Sequence, residues 1–219
     1  MFKKKLFLST VLAISFLGYK KDVEAQTNAD KPKAVNEKLA EKFANVSPKP
    51  TSNNANPLLD FMFTADPTAV DYNGRIYEYA TNVHQQYEHV GKDGKNSYEH
   101  IRTLVMMSSD DMVNWTYHGL INTAEVAPWS SVSWAPSITS RLEADGKTHF
   151  YLYYSNGGGA SAMLTSTSPV GPWKDPLGKN IIDHSVPGVD VDNPFDPGVV
   201  IDDQGTGWLT LKVLHNLIH

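Results

Sequence analysis

Residues 65–79 read Ala-Asp-Pro-Thr-Ala-Val-Asp-Tyr-Asn-Gly-Arg-Ile-Tyr-Glu-Tyr, and this stretch decides the fold. An Asp stands before a Pro at the start of a β-prone run, a turn follows at Asn73-Gly74, and the chain then enters an aromatic run. Asn-Gly between two such runs is a strong signal for a tight β-hairpin. The stretch therefore predicts two strands joined by a short turn.

The same three parts, a Pro-marked entry strand, a turn and an aromatic strand, recur twice along the chain. The later copies are Ala135-Pro136, Asp145-Gly146 and Phe150–Ser155, and then Asp196-Pro197, Asp203-Gln204-Gly205 and Trp208–Leu211. A β-sandwich would explain the strands, but an ordered recurrence at this spacing favours a β-propeller with long loops, in which each repeat is one blade. We predict an all-β fold with about two blades and the start of a third.

The composition of the 219-residue chain agrees with a turn-rich β protein. Aromatic residues make up 11% of the chain, with 15 Gly and 13 Pro, a profile that suits strands and turns better than a helical bundle. The absence of Cys excludes disulfides, zinc-thiolate sites and a thiol nucleophile. The formal net charge of −5 makes nucleic acid or an anionic membrane a poor partner.

The N-terminus is typical of an export signal. Lys3, Lys4 and Lys5 precede an apolar run over residues 6–18, which is too short to span a bilayer comfortably, and Val23-Glu24-Ala25 offers a small-residue cleavage site. We therefore predict a signal peptide over residues 1–25 and an exported protein. Residues 26–55, polar and rich in Pro and Asn, are interpreted as a linker with a partly helical start, and residues 56–219 as the domain.

Asp66 and Asp196 are the residues that could carry chemistry. Two carboxylates far apart in sequence can converge in a fold of repeated sheets, and paired carboxylates are the minimum needed to hydrolyse a glycosidic bond. The alternative for each is a strand-entry cap that bonds local amides. That alternative is stronger for Asp196, because Asp190, Asp192, Asp202 and Asp203 make its surroundings rich in Asp; the last two are interpreted as turn residues.

The domain resembles glycoside hydrolase family 43, the five-bladed β-propeller enzymes that act on xylan and arabinan. The resemblance rests on a series of strings in order: Asn56-Pro57-Leu58, Ala65-Asp66-Pro67, Ser109–Trp115, Ser133–Pro136, Phe150–Ser155, Ser166–Trp173 and Phe195–Gly198. By that resemblance Asp66 is the general base that activates water, and Asp196 orients the general acid and tunes its pKa. The resemblance also implies inverting hydrolysis. The residues themselves predict no metal site, because Asp190-Val191-Asp192-Asn193 lacks the Gly and the closing Glu of a calcium loop, and we predict no cofactor.

The resemblance further implies sugar contacts by Trp134 and Phe63. A core Trp between blades is an equal alternative for Trp134. The family's general acid is a Glu on a later blade, and no position here matches it; Glu125 and Glu143 are interpreted as surface loop residues. The sequence therefore predicts a glycosidase for plant cell-wall polysaccharides that acts weakly or not at all as this chain. The alternatives are a carbohydrate-binding propeller fragment without catalysis and a non-functional gene fragment.

Overall fold

The computed structural model describes residues 12–13 and 58–212. The predicted signal peptide, apart from Leu12–Ala13, and the predicted linker with its short helix lie outside these residues, as do residues 213–219. The domain that the sequence predicts is therefore described almost completely.

The described residues form three antiparallel sheets, so the all-β prediction is confirmed. The strands are β1 (Leu12–Ala13), β2 (Ala65–Tyr72), β3 (Arg75–Thr81), β4 (Thr103–Ser109), β5 (Thr116–Asn122), β6 (Trp134–Leu142), β7 (Thr148–Ser155), β8 (Ser161–Ser166), β9 (Phe195–Ile201) and β10 (Gly207–Lys212). The first sheet has the order β2-β3-β4-β5, the second β6-β7-β8, and the third β1-β10-β9. The entry strand of each predicted repeat, β2, β6 or β9, thus lies in a different sheet.

The turn at Asn73-Gly74 is the hairpin that the sequence predicts. Tyr72 pairs with Arg75, which leaves two loop residues between β2 and β3. Both loop residues have positive φ, 53° at Asn73 and 74° at Gly74. Two consecutive positive φ values define the type I′ geometry that matches the twist of paired strands, and Asn-Gly is the pair that adopts it most readily.

The sequence analysis predicts no helix between β3 and β4, but the structure contains one. Residues 82–102 form an insertion between the paired strands β3 and β4, and it begins with the helix α1 (Val83–Val90). The Asn82 side chain caps α1 by accepting a hydrogen bond from the Gln85 amide at 3.2 Å. A second helix, α2 (Thr123–Val126), follows β5. No helix among residues 12–13 and 58–212 has the length and apolar character needed to cross a bilayer.

The core lies between the sheets because the central strands are apolar on both faces. In β4, Leu104 and Met106 pack towards the second sheet, while the alternate residues Val105 and Met107 pack against the segment around Met62. β7 repeats this pattern, with one face turned to the first sheet and the other to the third. Its residues Phe150, Leu152 and Tyr154 belong to the first interface and Tyr151 and Tyr153 to the second. This two-sided burial stacks the three sheets face to face.

A cluster of charged and polar groups joins the second sheet to the third at the end of β6. Arg141 contacts Glu143 through its Nη2 at 2.5 Å and donates from Nη1 to the Gly205 carbonyl at 3.0 Å. The Tyr151 hydroxyl also donates to Glu143. Burial alone would raise the pKa of the Glu143 carboxyl, but the hydrogen bonds from Tyr151 and Arg141, with the Arg141 charge, hold that pKa below its ordinary value.

We expect Glu143→Gln to lower the free energy of unfolding at pH 7 by about 1 kcal/mol. A lowered pKa in the folded state stabilises the protein above the unfolded-state pKa, about 4.3 for Glu, and this contribution is lost as the pH falls through the folded-state pKa. Urea unfolding of both proteins from pH 7 to pH 3 should therefore show a difference that shrinks towards acid. The exposed Glu99→Gln is the matched control. A difference that stays constant with pH would contradict this assignment.

Candidate active site

The residue before the Pro adopts the same unusual backbone at the start of each sheet. φ is 51° at Asp66, 41° at Ala135 and 48° at Asp196. A pairing irregularity, or β-bulge, accompanies each one: between Ala65 and Thr68, between Trp134 and Ser137, and in β10 opposite Asp196. The repeat predicted from the sequence is therefore a repeat of backbone geometry.

This geometry is typical of a functional position. A residue before Pro ordinarily adopts extended backbone, and a non-glycine residue held at positive φ costs of order 1–3 kcal/mol. Bulges next to active sites serve to redirect a side chain out of the regular alternation. Two of the three equivalent positions, Asp66 and Asp196, carry a carboxylate, whereas Ala135 does not.

The three bulges lie at the same end of neighbouring strands. β2 packs against β6, and β6 against β9. The Ile138 amide of β6 donates to the Thr68 hydroxyl of β2 at 3.3 Å, and the Val199 amide of β9 donates to the Ser137 hydroxyl of β6 at 3.1 Å. These equivalent bonds fix one common register, so Asp66 and Asp196 lie at one edge of the stack with Ala135 between them.

The two carboxylates have different surroundings. Asp66 is exposed, so water reaches it freely. Asp196 is about one-third exposed, and its Oδ2 lies 3.5 Å from the Lys212 ammonium. Lys212 pairs with Phe195 in the sheet, and its ammonium lies 5.5 Å from the centre of the Phe195 ring. Lys212 therefore places a positive charge beside the Asp196 carboxylate.

The predicted sugar contacts, Trp134 and Phe63, occupy separate places. Trp134 is half-buried and is not among the residues of the three core clusters. Its indole N–H donates to the Tyr98 carbonyl at 2.9 Å, which ties it to the insertion after β3. Phe63 is 48% exposed and contacts the rings of His84 and Tyr87 edge-on.

Phe63 lines a shallow cavity of about 190 Å³ against α1, and Asp66 does not line this cavity. The structure therefore places Trp134 directly beside the bulge at Ala135, whereas Phe63 lies with the helix of the insertion. The insertion supplies further exposed aromatic rings, Tyr87 in α1 and Tyr98 in the loop after it, and the sequence analysis identified neither.

Neither glutamate that the sequence singled out is a simple surface loop residue. Glu125 lies in the first turn of α2 and accepts a hydrogen bond from the Asn122 side chain at 2.8 Å. Glu143 is one-quarter exposed and belongs to the cluster that joins the second and third sheets. Within residues 12–13 and 58–212, no group of three or more His, Asp or Glu side chains could hold a metal ion.

The repeated sheets and the two Asp-bearing bulges are the features that the sequence analysis associates with a glycoside hydrolase. Comparison with known sequences identifies the family. The family model described as glycosyl hydrolases family 43 matches residues 55–217. The chain therefore belongs to glycoside hydrolase family 43. This confirms the resemblance that the sequence motifs indicated.

Particular relatives can be named within this family. The chain is 43% identical over 166 residues to an arabinoxylan arabinofuranohydrolase of Bacillus subtilis and 40% identical over 166 residues to one of Paenibacillus polymyxa. Each alignment covers 71% of this chain, but 32% and 26% of the respective relative. The chain thus spans about a third or less of the length of these curated relatives.

Solved structures give the same result. A family 43 arabinoxylan arabinofuranohydrolase from Bacillus subtilis, solved in complex with cellotetraose, superposes with a TM-score of 0.67 at 40% identity, over 76% of this chain and 36% of that one. An α-L-arabinofuranosidase from Clostridium thermocellum superposes with a TM-score of 0.55 at 40% identity, over 72% of this chain and 50% of that one. The three sheets are therefore arranged as in family 43 enzymes.

Proposed function

We propose that this chain supplies catalytic groups of an exported, inverting glycosidase that removes arabinofuranosyl side chains from arabinoxylan. The observation that carries the proposal is the pair of carboxylates, Asp66 and Asp196, at equivalent bulges on one edge of the stacked sheets. Membership of family 43 and the two arabinoxylan arabinofuranohydrolase relatives support the substrate class. The basic and apolar N-terminal segment supports export.

Asp66 acts as the general base in this proposal. Inverting hydrolysis requires a carboxylate that takes a proton from a water molecule as the water attacks one face of the sugar. Asp66 is exposed at the edge of the stack, so a water molecule can lie between it and a bound sugar. The bulge interrupts the regular β-alternation at Asp66, as bulges next to active sites do when they redirect a side chain.

Asp196 acts through its charge on a proton donor. A carboxylate close to a second carboxyl group raises the pKa of that group by like-charge repulsion, which keeps a general acid protonated at neutral pH. Asp196 is more buried than Asp66. Its amide donates to the Ser155 hydroxyl, and its carboxylate lies beside the Lys212 ammonium. It is therefore better suited to a fixed electrostatic role than to proton transfer with water.

Neither Glu125 nor Glu143 provides the proton donor in this proposal. Glu125 is bonded to the cap of α2, and Glu143 to the cluster at the far end of β6. Since general acid catalysis contributes about 10²–10⁴-fold, we infer that the 219-residue chain hydrolyses unactivated glycosides very slowly. A leaving group that departs without a proton avoids this loss.

Two substrates test the proposal together. The purified chain should hydrolyse 2,4-dinitrophenyl α-L-arabinofuranoside, whose phenolate leaves unaided, and should release arabinose from arabinoxylan at least about 10²-fold more slowly. Rates are followed by absorbance for the aryl glycoside and by sugar chromatography for the polymer. Comparable rates on both substrates would show that a proton donor is present after all. If the chain hydrolyses neither substrate, it is not a hydrolase and the proposal is wrong.

A carbohydrate-binding module without catalysis is the second candidate. The exposed aromatic rings favour it, because Phe63, Tyr87 and Tyr98 are each more than 40% exposed, and aromatic faces bind sugars without any proton transfer. Asp66→Asn separates the two functions. It should abolish turnover of the aryl glycoside if the chain is a hydrolase. If the chain only binds, the variant should be retarded in a gel that contains arabinoxylan as strongly as the wild type.

A further inference from the structure

Two buried hydroxyl groups occupy equivalent places next to the bulges. Thr81 ends β3 and pairs with Ala65, and Ser155 ends β7 and pairs with Trp134. Each is thus the strand partner of the residue that precedes the left-handed position in its own sheet. Thr81 is 2% exposed and Ser155 is fully buried, so neither hydroxyl can replace its protein partners with bulk water.

Each hydroxyl holds the bulge of the following sheet. The Ala135 amide donates to the Thr81 hydroxyl at 2.8 Å, and the Asp196 amide donates to the Ser155 hydroxyl at 2.8 Å. These amides belong to the residues with positive φ. A strained backbone persists only where its surroundings over-determine it, and a buried amide needs a partner. The two hydroxyls therefore help to fix the unusual conformation.

The same hydroxyls also contact the carboxylates. The Thr81 hydroxyl donates to Asp66 Oδ2 at 3.4 Å, and the Ser155 hydroxyl lies 3.5 Å from Asp196 Oδ1. Both contacts are longer than the O–H···O distances of about 2.5–3.0 Å that are typical, so they bias the orientation of the carboxylates without binding them tightly. A hydroxyl that accepts a backbone amide proton directs its own proton elsewhere, and here the carboxylate is the acceptor.

We propose that Thr81 and Ser155 are positioning residues, which fix the side-chain orientation of Asp66 and Asp196 through a hydroxyl that bridges a bulge amide and a carboxylate. The proposal rests on the proposed function for its catalytic consequence, but the orientation itself can be measured without turnover. Thr81 joins two sheets, since it contacts the carboxylate of the first and the amide of the second. It therefore couples the position of the base to the packing of the neighbouring sheet.

Thr81→Val tests the proposal, because Val keeps the shape of the side chain and removes the hydroxyl. In the isotope-labelled full chain, the scalar couplings about the Asp66 Cα–Cβ bond should show one rotamer in the wild type and averaging among rotamers in Thr81→Val. Thr81→Ser keeps the hydroxyl and should restore the single rotamer. With the aryl arabinofuranoside, kcat of Thr81→Val should fall about 10- to 100-fold with KM unchanged, and Thr81→Ser should recover most of it.

Thr116→Val is the matched control. The Thr116 hydroxyl also accepts a hydrogen bond, from Arg75 Nη2 at 3.1 Å, but it lies at the hairpin end of the first sheet, opposite the bulges. This variant should leave the Asp66 rotamer and kcat unchanged. If Thr81→Val does not fold, Thr81→Ala provides the same comparison.

A single Asp66 rotamer in the hydroxyl-free variants, with kcat within twofold of the wild type, would overturn the proposal. Rotamer averaging without any effect of Asp66→Asn on turnover would instead leave the positioning role standing and refute the catalytic role of Asp66. If the wild-type chain shows no turnover, the rotamer measurement decides alone.

Discussion

Asp66→Asn should lower kcat on 2,4-dinitrophenyl α-L-arabinofuranoside by about 10²–10⁴-fold, the range that a general base contributes. Asn cannot take a proton from water, yet it keeps the size of the side chain. Asn also tolerates positive φ better than most residues, so the backbone at φ 51° should persist. The loss should therefore be in turnover, with the melting temperature close to that of the wild type.

The control for this variant lies in the same strand. Asp71 is exposed near the opposite end of β2, next to the hairpin turn, and Asp71→Asn makes the same chemical change away from the bulges. Its kcat should stay within twofold of the wild type. Equal rates for Asp66→Asn and the wild type, measured with both proteins shown to be folded, would exclude Asp66 as the base.

Phe150→Ala should lower the free energy of unfolding by about 3–5 kcal/mol, the usual loss when a large buried aromatic side chain is truncated. Phe150 is fully buried in β7 at the interface of the first and second sheets, and it packs edge-on against Tyr72 with ring centres 5.0 Å apart. Because small domains have a total stability of about 5–15 kcal/mol, this single change removes a large part of it.

Urea unfolding followed by tryptophan fluorescence measures this loss. Phe63→Ala deletes the same side chain from a position that is 48% exposed and outside the sheet interfaces, so its effect should be well below that of Phe150→Ala. Equal losses for the two variants would mean that the packing between the first and second sheets does not stabilise the domain as described.

The sheet repeat was predictable because its signals are local. Asn73-Gly74 specifies its own turn, and the Pro after Asp66, Ala135 and Asp196 marks each entry strand wherever the rest of the chain lies. The positive φ at these three positions was not predictable from the sequence. A residue before Pro ordinarily adopts extended backbone, and only contacts with a neighbouring sheet hold the alternative.

The helix α1 shows why other elements were missed. Its apolar residues are only Val83, Tyr87 and Val90, and its glutamines bind the loop that follows. Gln85 Oε1 accepts the Arg102 amide at 2.7 Å, and Gln86 Oε1 accepts the His100 amide at 2.9 Å. Such tertiary polar bonds leave no periodic pattern. One local signal was available, since Asn82 followed by Gln85 resembles a capping box at a helix start.

The residues of the candidate site also include some that the sequence could predict and some that it could not. Both carboxylates could be identified from their sequence neighbours and the family resemblance. Thr81 and Ser155 could not, because a hydroxyl at the end of an aromatic strand has no distinctive neighbours. Their importance depends on the register that places them against the bulge of the next sheet.

The most direct test of Asp66 as the base uses azide with the Asp66→Gly variant. Gly accommodates the positive φ and leaves space for an external anion where the carboxylate stood. An anion that needs no deprotonation should replace activated water, restore turnover of 2,4-dinitrophenyl α-L-arabinofuranoside and give the β-glycosyl azide, the product of single inversion. No rescue by azide, or a product that retains the α configuration, would contradict the assignment of Asp66 as the base of an inverting glycosidase.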